Sequence, residues 1–272
     1  MIIQGGADTT MICKEIIKII ENAYSRAYAL EWDNVGLLAG RDDKEVQRIY
    51  VALDATDEVI DAASAYHADM LITHHPLIFS GLKRINNQDF IGRRIIKLIQ
   101  NDISYYAMHT NYDVKGMAAL SGEKMQFKEA EVLEVTAEDP ETNLLEGIGS
   151  ITELTSPITL QVCCQKVKEA FQLNEVKVFG ELGQKVQRIA ICPGSGKSVI
   201  PEALKRNADV LITGDIGHHE GIDANAQGLA VIDAGHYGIE HIFIEDMKQY
   251  LEKNLEGVEV IAAPVRHPFQ MV

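Results

Sequence analysis

Arg48-Ile49, followed by Ala68-Asp69-Met70-Leu71-Ile72-Thr73, returns later in the chain as Arg188-Ile189 followed by Ala208-Asp209-Val210-Leu211-Ile212-Thr213. Both matches lie 140 positions apart, from 48 to 188 and from 68 to 208. A constant offset across two strand-like runs also preserves the helix between them, so a whole β-α-β unit is present twice. The spacing predicts an α/β fold of two related lobes arising from an internal duplication, residues 1–125 and 126–272. The first copy ends in His74-His75-Pro76 and the second in Gly214-Asp215. Paired imidazoles on one copy point to a metal site between the lobes.

Hydrophobic periodicity around these runs supplies the remaining elements. Ile12, Ile16, Ile17, Ile20 and Ala23 recur at helical spacing over 10–26. Strands are expected at 48–53, 70–73 and 104–108, with helices at 56–66 and 89–100. Thr56 suits a helix cap, and Asp57 and Glu58 suit the first turn beside the positive end of the dipole. Segments 131–135 and 149–154 read as strands and 160–171 as a helix. The second copy resumes with strands at 186–191, 210–213 and 229–232, a helix at 197–206, a long helix at 238–253 and a strand at 258–262. In such folds ligands gather at the C-terminal ends of strands. Residues 1–9, with Gly5-Gly6, read as a loose leader.

With 272 residues and 46% hydrophobic content, the chain can fill one large core or two lobes. Its formal charge of −15 argues against a broad nucleic-acid surface. Lys83-Arg84 with Arg93-Arg94 is the one basic cluster, and solvated charge is its simpler reading. No apolar run reaches the ~20 residues of a membrane span, and no basic-then-apolar leader marks a signal peptide. Cys13, Cys163, Cys164 and Cys192 form no CxxC pair. Adjacent Cys163 and Cys164 are poorly placed to bridge, so a reducing, cytoplasmic setting is expected.

Candidate metal ligands follow apolar strands in four places: His74-His75, His109 with Asp113, Asp215 with His218-His219, and His236 with Glu240. Neighbouring side chains alternate in a strand, so His74 and His75 should diverge unless the chain turns at Pro76. His236 and Glu240, four apart at the start of a helix, share a face where imidazole and carboxylate can meet one ion. Each pair alone has a plainer reading. A lone histidine at a strand end is more often a hydrogen-bonded structural residue, Asp113 could cap a helix beginning at Val114, and Glu240 could be an exposed helix residue. Several pairs at equivalent strand ends favour a metal site.

With Glu31-Trp32-Asp33-Asn34-Val35-Gly36-Leu37, Ile72-Thr73-His74-His75-Pro76-Leu77, His109-Thr110-Asn111-Tyr112-Asp113, the run 208–215, and Asp233-Ala234-Gly235-His236 plus Glu240, the chain resembles the Nif-three-like dinuclear metal-centre proteins, catalogued as GTP cyclohydrolase I type 2. Pro268-Phe269 also resembles the family's tail, although His267 departs from it. The resemblance implies two divalent ions per chain, with His75 and Asp113 on one, His74 and His236 on the other, and Glu240 bridging. Nitrogen and oxygen donors suit Zn, Fe, Mn, Co or Ni. Asp33, His109, Asp215 and His219 are then expected around those ligands, with His109 or His219 moving protons. His218 or His219 could instead only pack or cap the next helix. Trp32 has a plainer reading as a buried loop anchor, and His67 and His241 read as structural or solvated.

The family name implies hydrolytic opening of the guanine imidazole ring of GTP with release of formate, or hydrolysis of a related nucleotide. The resemblance also implies a homohexamer, often ring-shaped, and a non-enzymatic metal-binding scaffold or regulator is the alternative reading. Long members carry an inserted domain for which 123–180 leaves little room here. A competing motif, Cys192-Pro193-Gly194-Ser195-Gly196-Lys197-Ser198, lies between a strand and a helix like a phosphate-binding loop. Its required first glycine is Ile191, so a P-loop is disfavoured.

Overall fold

A computed structural model describes residues 11–270; the expected leader at 1–9 lies outside the described residues. The described residues form two compact units, one comprising 11–111 with Phe243–Pro264, the other Tyr112–Ile242 with 265–270. The first unit takes in a late segment of the chain. The cause is strand pairing, because Glu259–Ala262 lies parallel to Arg48–Ala52 in the first unit's sheet. The fold class is α/β, as expected.

In the first unit five strands run in the order Glu259–Ala262, Arg48–Ala52, Met70–Thr73, Ser104–Ala107, Gly36–Ala39. All pairings are parallel except that of the edge strand Gly36–Ala39. Central parallel strands are covered on both faces, which explains why they read as unbroken apolar runs rather than alternating ones. Ile49, Val51, Met70, Leu71 and Ile72 are fully buried. Thr56 caps the helix Asp57–Ala65 by accepting from the Val59 N–H at 3.2 Å. Asp89 does the same for Phe90–Gln100 through the Gly92 N–H at 2.8 Å.

In the second unit six strands run Glu131–Glu138, Leu145–Thr159, Lys185–Ser195, Val210–Gly214, Ala230–Asp233, Lys177–Phe179. The central three strands are parallel and the outer pairings antiparallel.

The two repeated segments have the same local geometry. Ile49, Tyr50 and Val51 lie opposite Met70, Leu71 and Ile72, and Ile189, Ala190 and Ile191 lie opposite Val210, Leu211 and Ile212. The aspartates of the two segments make matching contacts. Asp69 Oδ2 accepts from the N–H groups of Gln47 and Arg48 at 2.8 and 3.0 Å, and Asp209 Oδ2 from those of Gln187 and Arg188 at 2.7 and 2.8 Å. Each carboxylate satisfies two donors at the start of a parallel strand and fixes its register.

Several elements differ from expectation. Residues 196–206 begin as the 3-10 turn Gly196–Val199 and become helical at Ile200–Lys205, with Pro201 in the first turn where its missing N–H costs nothing. Asp113 does not cap a helix. It opens the π-helical turn Asp113–Met117, after Thr110–Tyr112 and before the helix Ala118–Lys124. A Cβ on Gly116 would lie 2.7 Å from the Tyr112 ring, so this wide turn depends on glycine. His218–Ala226 is helical despite weak apolar periodicity. Phe179 packs on its Gly221, where a Cβ would come within 2.4 Å of the ring.

Candidate metal centre

In the first unit Thr73 ends its strand and the chain bends at His74 and His75. The expected divergence of these two rings is therefore not observed. Their centroids are 5.0 Å apart, and with His109 they bring one ring nitrogen each to within 4.8 Å of one another. Tyr105 holds the bend. Its hydroxyl lies 2.8 Å from Thr73 Oγ1, accepts from the Leu77 N–H at 2.7 Å and donates to the His75 carbonyl at 3.0 Å. Burial pushes the Tyr105 hydroxyl up to about 12, so it stays protonated as this bonding requires.

Each histidine of this cluster is oriented through Nδ1. His74, fully buried, meets the Met108 carbonyl at 2.9 Å, His75 meets Asp54 at 2.7 Å, and His109 meets Asp33 at 2.9 Å. An oxygen that only accepts places a proton on Nδ1 and fixes the orientation of the ring. Asp33 carries a dense set of donors. Its Oδ1 also accepts from the Asn34 N–H at 2.8 Å, and its Oδ2 accepts from the Thr110 N–H and hydroxyl at 2.9 and 2.6 Å. Burial opposes ionisation of Asp33, but the bonds from His109 and Thr110 together outweigh it and hold the carboxyl at about 2.

Trp32 is not a buried anchor: it is 57% exposed, its ring 5.7 Å from that of Phe79 and 5.9 Å from that of His109.

In the second unit the helix His236–Glu240 places its two end residues on one face, with His236 Nε2 3.0 Å from Glu240 Oε2. His236 Nδ1 lies 2.9 Å from Asp215 Oδ2. The His236 ring thus has a carboxylate at each nitrogen, Asp215 at Nδ1 and Glu240 at Nε2, an arrangement suited to a bound cation. Asp233 braces the surroundings, accepting from the N–H groups of Ile216 and Gly235, each at 3.0 Å, and pairing with Lys177 at 2.7 Å. A cavity of about 850 Å³ opens beside Asp215 and Gly235, with Lys177, His267 and Phe269 in its wall.

The glycine-rich stretch 192–196 belongs to this centre rather than to a phosphate loop. Gly194, at φ +79°, passes so close that a Cβ would lie 2.4 Å from Glu240 Oε1 and 3.8 Å from His236 Nε2. A Cβ on Gly196 would meet Thr213 Oγ1 at 2.1 Å. The missing side chain at Gly194 leaves room for the Glu240 carboxylate. Cys192 shares the neighbourhood: burial pushes its thiol up, and the negative charges of Asp113, Glu240 and Glu134 push it further. Asp113 and Glu240 thus concentrate negative charge within one unit, a donor set suited to a divalent cation.

His219 is an exposed residue of the helix His218–Ala226, its ring 5.2 Å from that of His218. Among the described residues it belongs to none of the donor clusters. Asp54, the partner of His75, was not singled out from sequence. Its position directly after the strand Arg48–Ala52 and Leu53 was the available signal.

The sequence profile of the Duf34/NIF3 (NGG1p interacting factor 3) family matches residues 11–268. A Clostridium acetobutylicum protein described as a GTP cyclohydrolase 1 type 2 homolog is 36% identical over 249 residues, covering 91% of this chain and 92% of its own. A Clostridium perfringens protein of the same description is 33% identical, covering 96% of this chain and all of its own. The crystal structure of a Bacillus cereus protein related to NIF3 superposes with a TM-score of 0.90 at 26% identity, covering 97% of this chain and 99% of that one.

Proposed function

The chain belongs to the Duf34/NIF3 (NGG1p interacting factor 3) family, and from that premise we propose that it is a dinuclear metal-dependent hydrolase of nucleotides. In this reading His75 and Asp113 would hold one divalent ion, His74 and His236 would hold the other, and Glu240 would be shared by both. The observation that carries it is the shared orientation of His74, His75, His109 and His236, each with Nδ1 against an oxygen acceptor. Such acceptors characteristically orient metal-binding imidazoles. The donor set of nitrogen and oxygen fits Zn, Fe, Mn, Co or Ni. Divalent ions held there supply Lewis acidity and make water a usable nucleophile near neutral pH.

The protein's own residues then bind and move protons. Asp33, ionised and fully buried at its side chain, fixes the His109 ring so that Nε2 can accept a proton from water and return it to a departing nitrogen. His219 is the second proposed proton carrier. The relatives' description as GTP cyclohydrolase 1 type 2 homologs supports GTP as substrate; the reaction proposed on it is opening of the guanine imidazole ring with release of formate. Homohexameric assembly and a cytoplasmic location belong to the same proposal, the latter supported by four buried cysteines that form no disulfide. Among the described residues no helix is long and apolar enough to cross a membrane.

The test is an assay of metal-loaded protein for formate released from GTP, alongside phosphate released from a panel of nucleotides. Turnover that Asp113→Ala abolishes is expected. Absence of turnover on every nucleotide, with Asp113→Ala indistinguishable from wild type, would favour the scaffold reading.

A further inference from the structure

We propose that Trp32 and Phe79 form a stacking platform for the purine ring of the substrate, set beside His109. This rests on the nucleotide reading above and names the part of the protein that would recognise the base. Both rings are large, apolar and more than half exposed, at 57% and 54%, a cost to the isolated chain that a ligand can relieve. They lie on separate loops yet stand together, with centroids 5.7 Å apart and planes inclined at 34°.

The pair is held rather than loose. Asn34 donates from its side-chain amide to the Ile78 carbonyl at 2.6 Å, tying the loop after Trp32 to the residue before Phe79. Asp33, next to Trp32, is fixed by His109, Asn34 and Thr110, and Leu77 is fixed by the Tyr105 hydroxyl. A platform with both supporting loops anchored loses little entropy on binding.

His109 joins the platform to the nitrogen cluster. Its ring stands steeply against both aromatics, at 73° to Trp32 with centroids 5.9 Å apart and at 62° to Phe79 with centroids 6.3 Å apart. His74 and His75 lie on its other contacts, 5.3 and 5.6 Å away by ring centroid. A flat heteroaromatic ring stacked parallel to Trp32 or Phe79 would therefore lie steeply inclined to the nearby His109 ring, the group proposed to transfer protons. Aromatic faces accept any base but gain most from the larger purine surface, which favours this occupant over a pyrimidine or a bare phosphate.

Trp32 is the single tryptophan of the chain, so its emission reports on this position directly. The purified full-length protein is titrated with guanosine monophosphate, cytidine monophosphate, ribose 5-phosphate and inorganic tripolyphosphate. Saturable quenching by the guanine nucleotide is expected, weaker quenching by cytidine monophosphate, and none by the two base-free compounds. Phe79→Ala should raise the half-saturating concentration about tenfold while Phe79→Tyr restores it, as loss of one stacking partner implies. Circular dichroism and thermal melting of Phe79→Ala should match wild type, since the ring is exposed. Emission that no base alters, while GTP still releases formate, overturns the platform and leaves the hydrolase intact. Emission that changes with protein dilution but not with ligand also overturns it, by assigning the aromatic pair to contacts between copies. Guanine-specific quenching with neither formate nor phosphate released from any nucleotide upholds the platform and removes the hydrolase.

Discussion

Gly194 carries a constraint that no side chain can meet: its φ is +79°, and a Cβ would sit 2.4 Å from Glu240 Oε1. Gly194→Ala should therefore displace the Glu240 carboxylate and strain the backbone locally. We expect metal affinity to fall about tenfold or more, the scale on which disturbed supports of metal ligands act. A metal titration of the variant matching wild type would refute this role. Asp33 offers a test through pH. Its carboxyl is lowered from an ordinary 3.8 to about 2 in the fold, so its stabilisation is fully present above 3.8 and is lost as pH falls toward 2. The contribution at neutral pH is roughly 2 kcal/mol. Urea unfolding of wild type and Asp33→Asn should give curves that differ at neutral pH and converge across that acid window. A gap that stays constant would show that Asp33 is not held ionised.

At the scale of elements, the bend after Met70–Thr73 depends on one hydroxyl. Tyr105→Phe removes contacts to Thr73, His75 and Leu77 at once, and leaves the buried Leu77 N–H without its acceptor. A loss of about 1–3 kcal/mol in chemical denaturation is expected, together with weaker metal binding. Retained stability would contradict the clamp. This clamp also shows what sequence could reveal. Periodicity located the strands 48–53, 70–73 and 104–108 because apolar runs of that length have few alternative structures. It also located the cap at Thr56, whose oxygen and the following acids satisfy an elementary need of a helix start. The bend at His74-His75 was less legible, since strand alternation favoured divergence and the hydroxyl opposing it comes from Tyr105, about 30 residues away. The bounds of the helix His218–Ala226 were not legible for a similar reason, because its packing on Phe179 goes through a glycine rather than through an apolar stripe. His236 and Glu240 were legible together because their spacing of four already dictates a common face. Asp54 was not, since only tertiary structure brings it to His75.

For the whole molecule, the repeat at a spacing of 140 and the family motifs concern chemistry spread along nearly the full chain, from Asp33 to Glu240. A formal charge of −15 is a poor match to nucleic acid and leaves recognition of a small anionic substrate to local groups. The late return of Phe243–Pro264 to the first unit was invisible to periodicity, because a terminal strand carries no label for its partner. The most direct measurement is elemental analysis of wild-type and Glu240→Gln protein after expression with supplemented divalent metal. About two ions per chain are expected in wild type, and the variant should lose both together if, as proposed, the Glu240 carboxylate bridges them. Wild-type protein containing no divalent metal would contradict the centre itself, and a variant retaining one ion would remove the bridge.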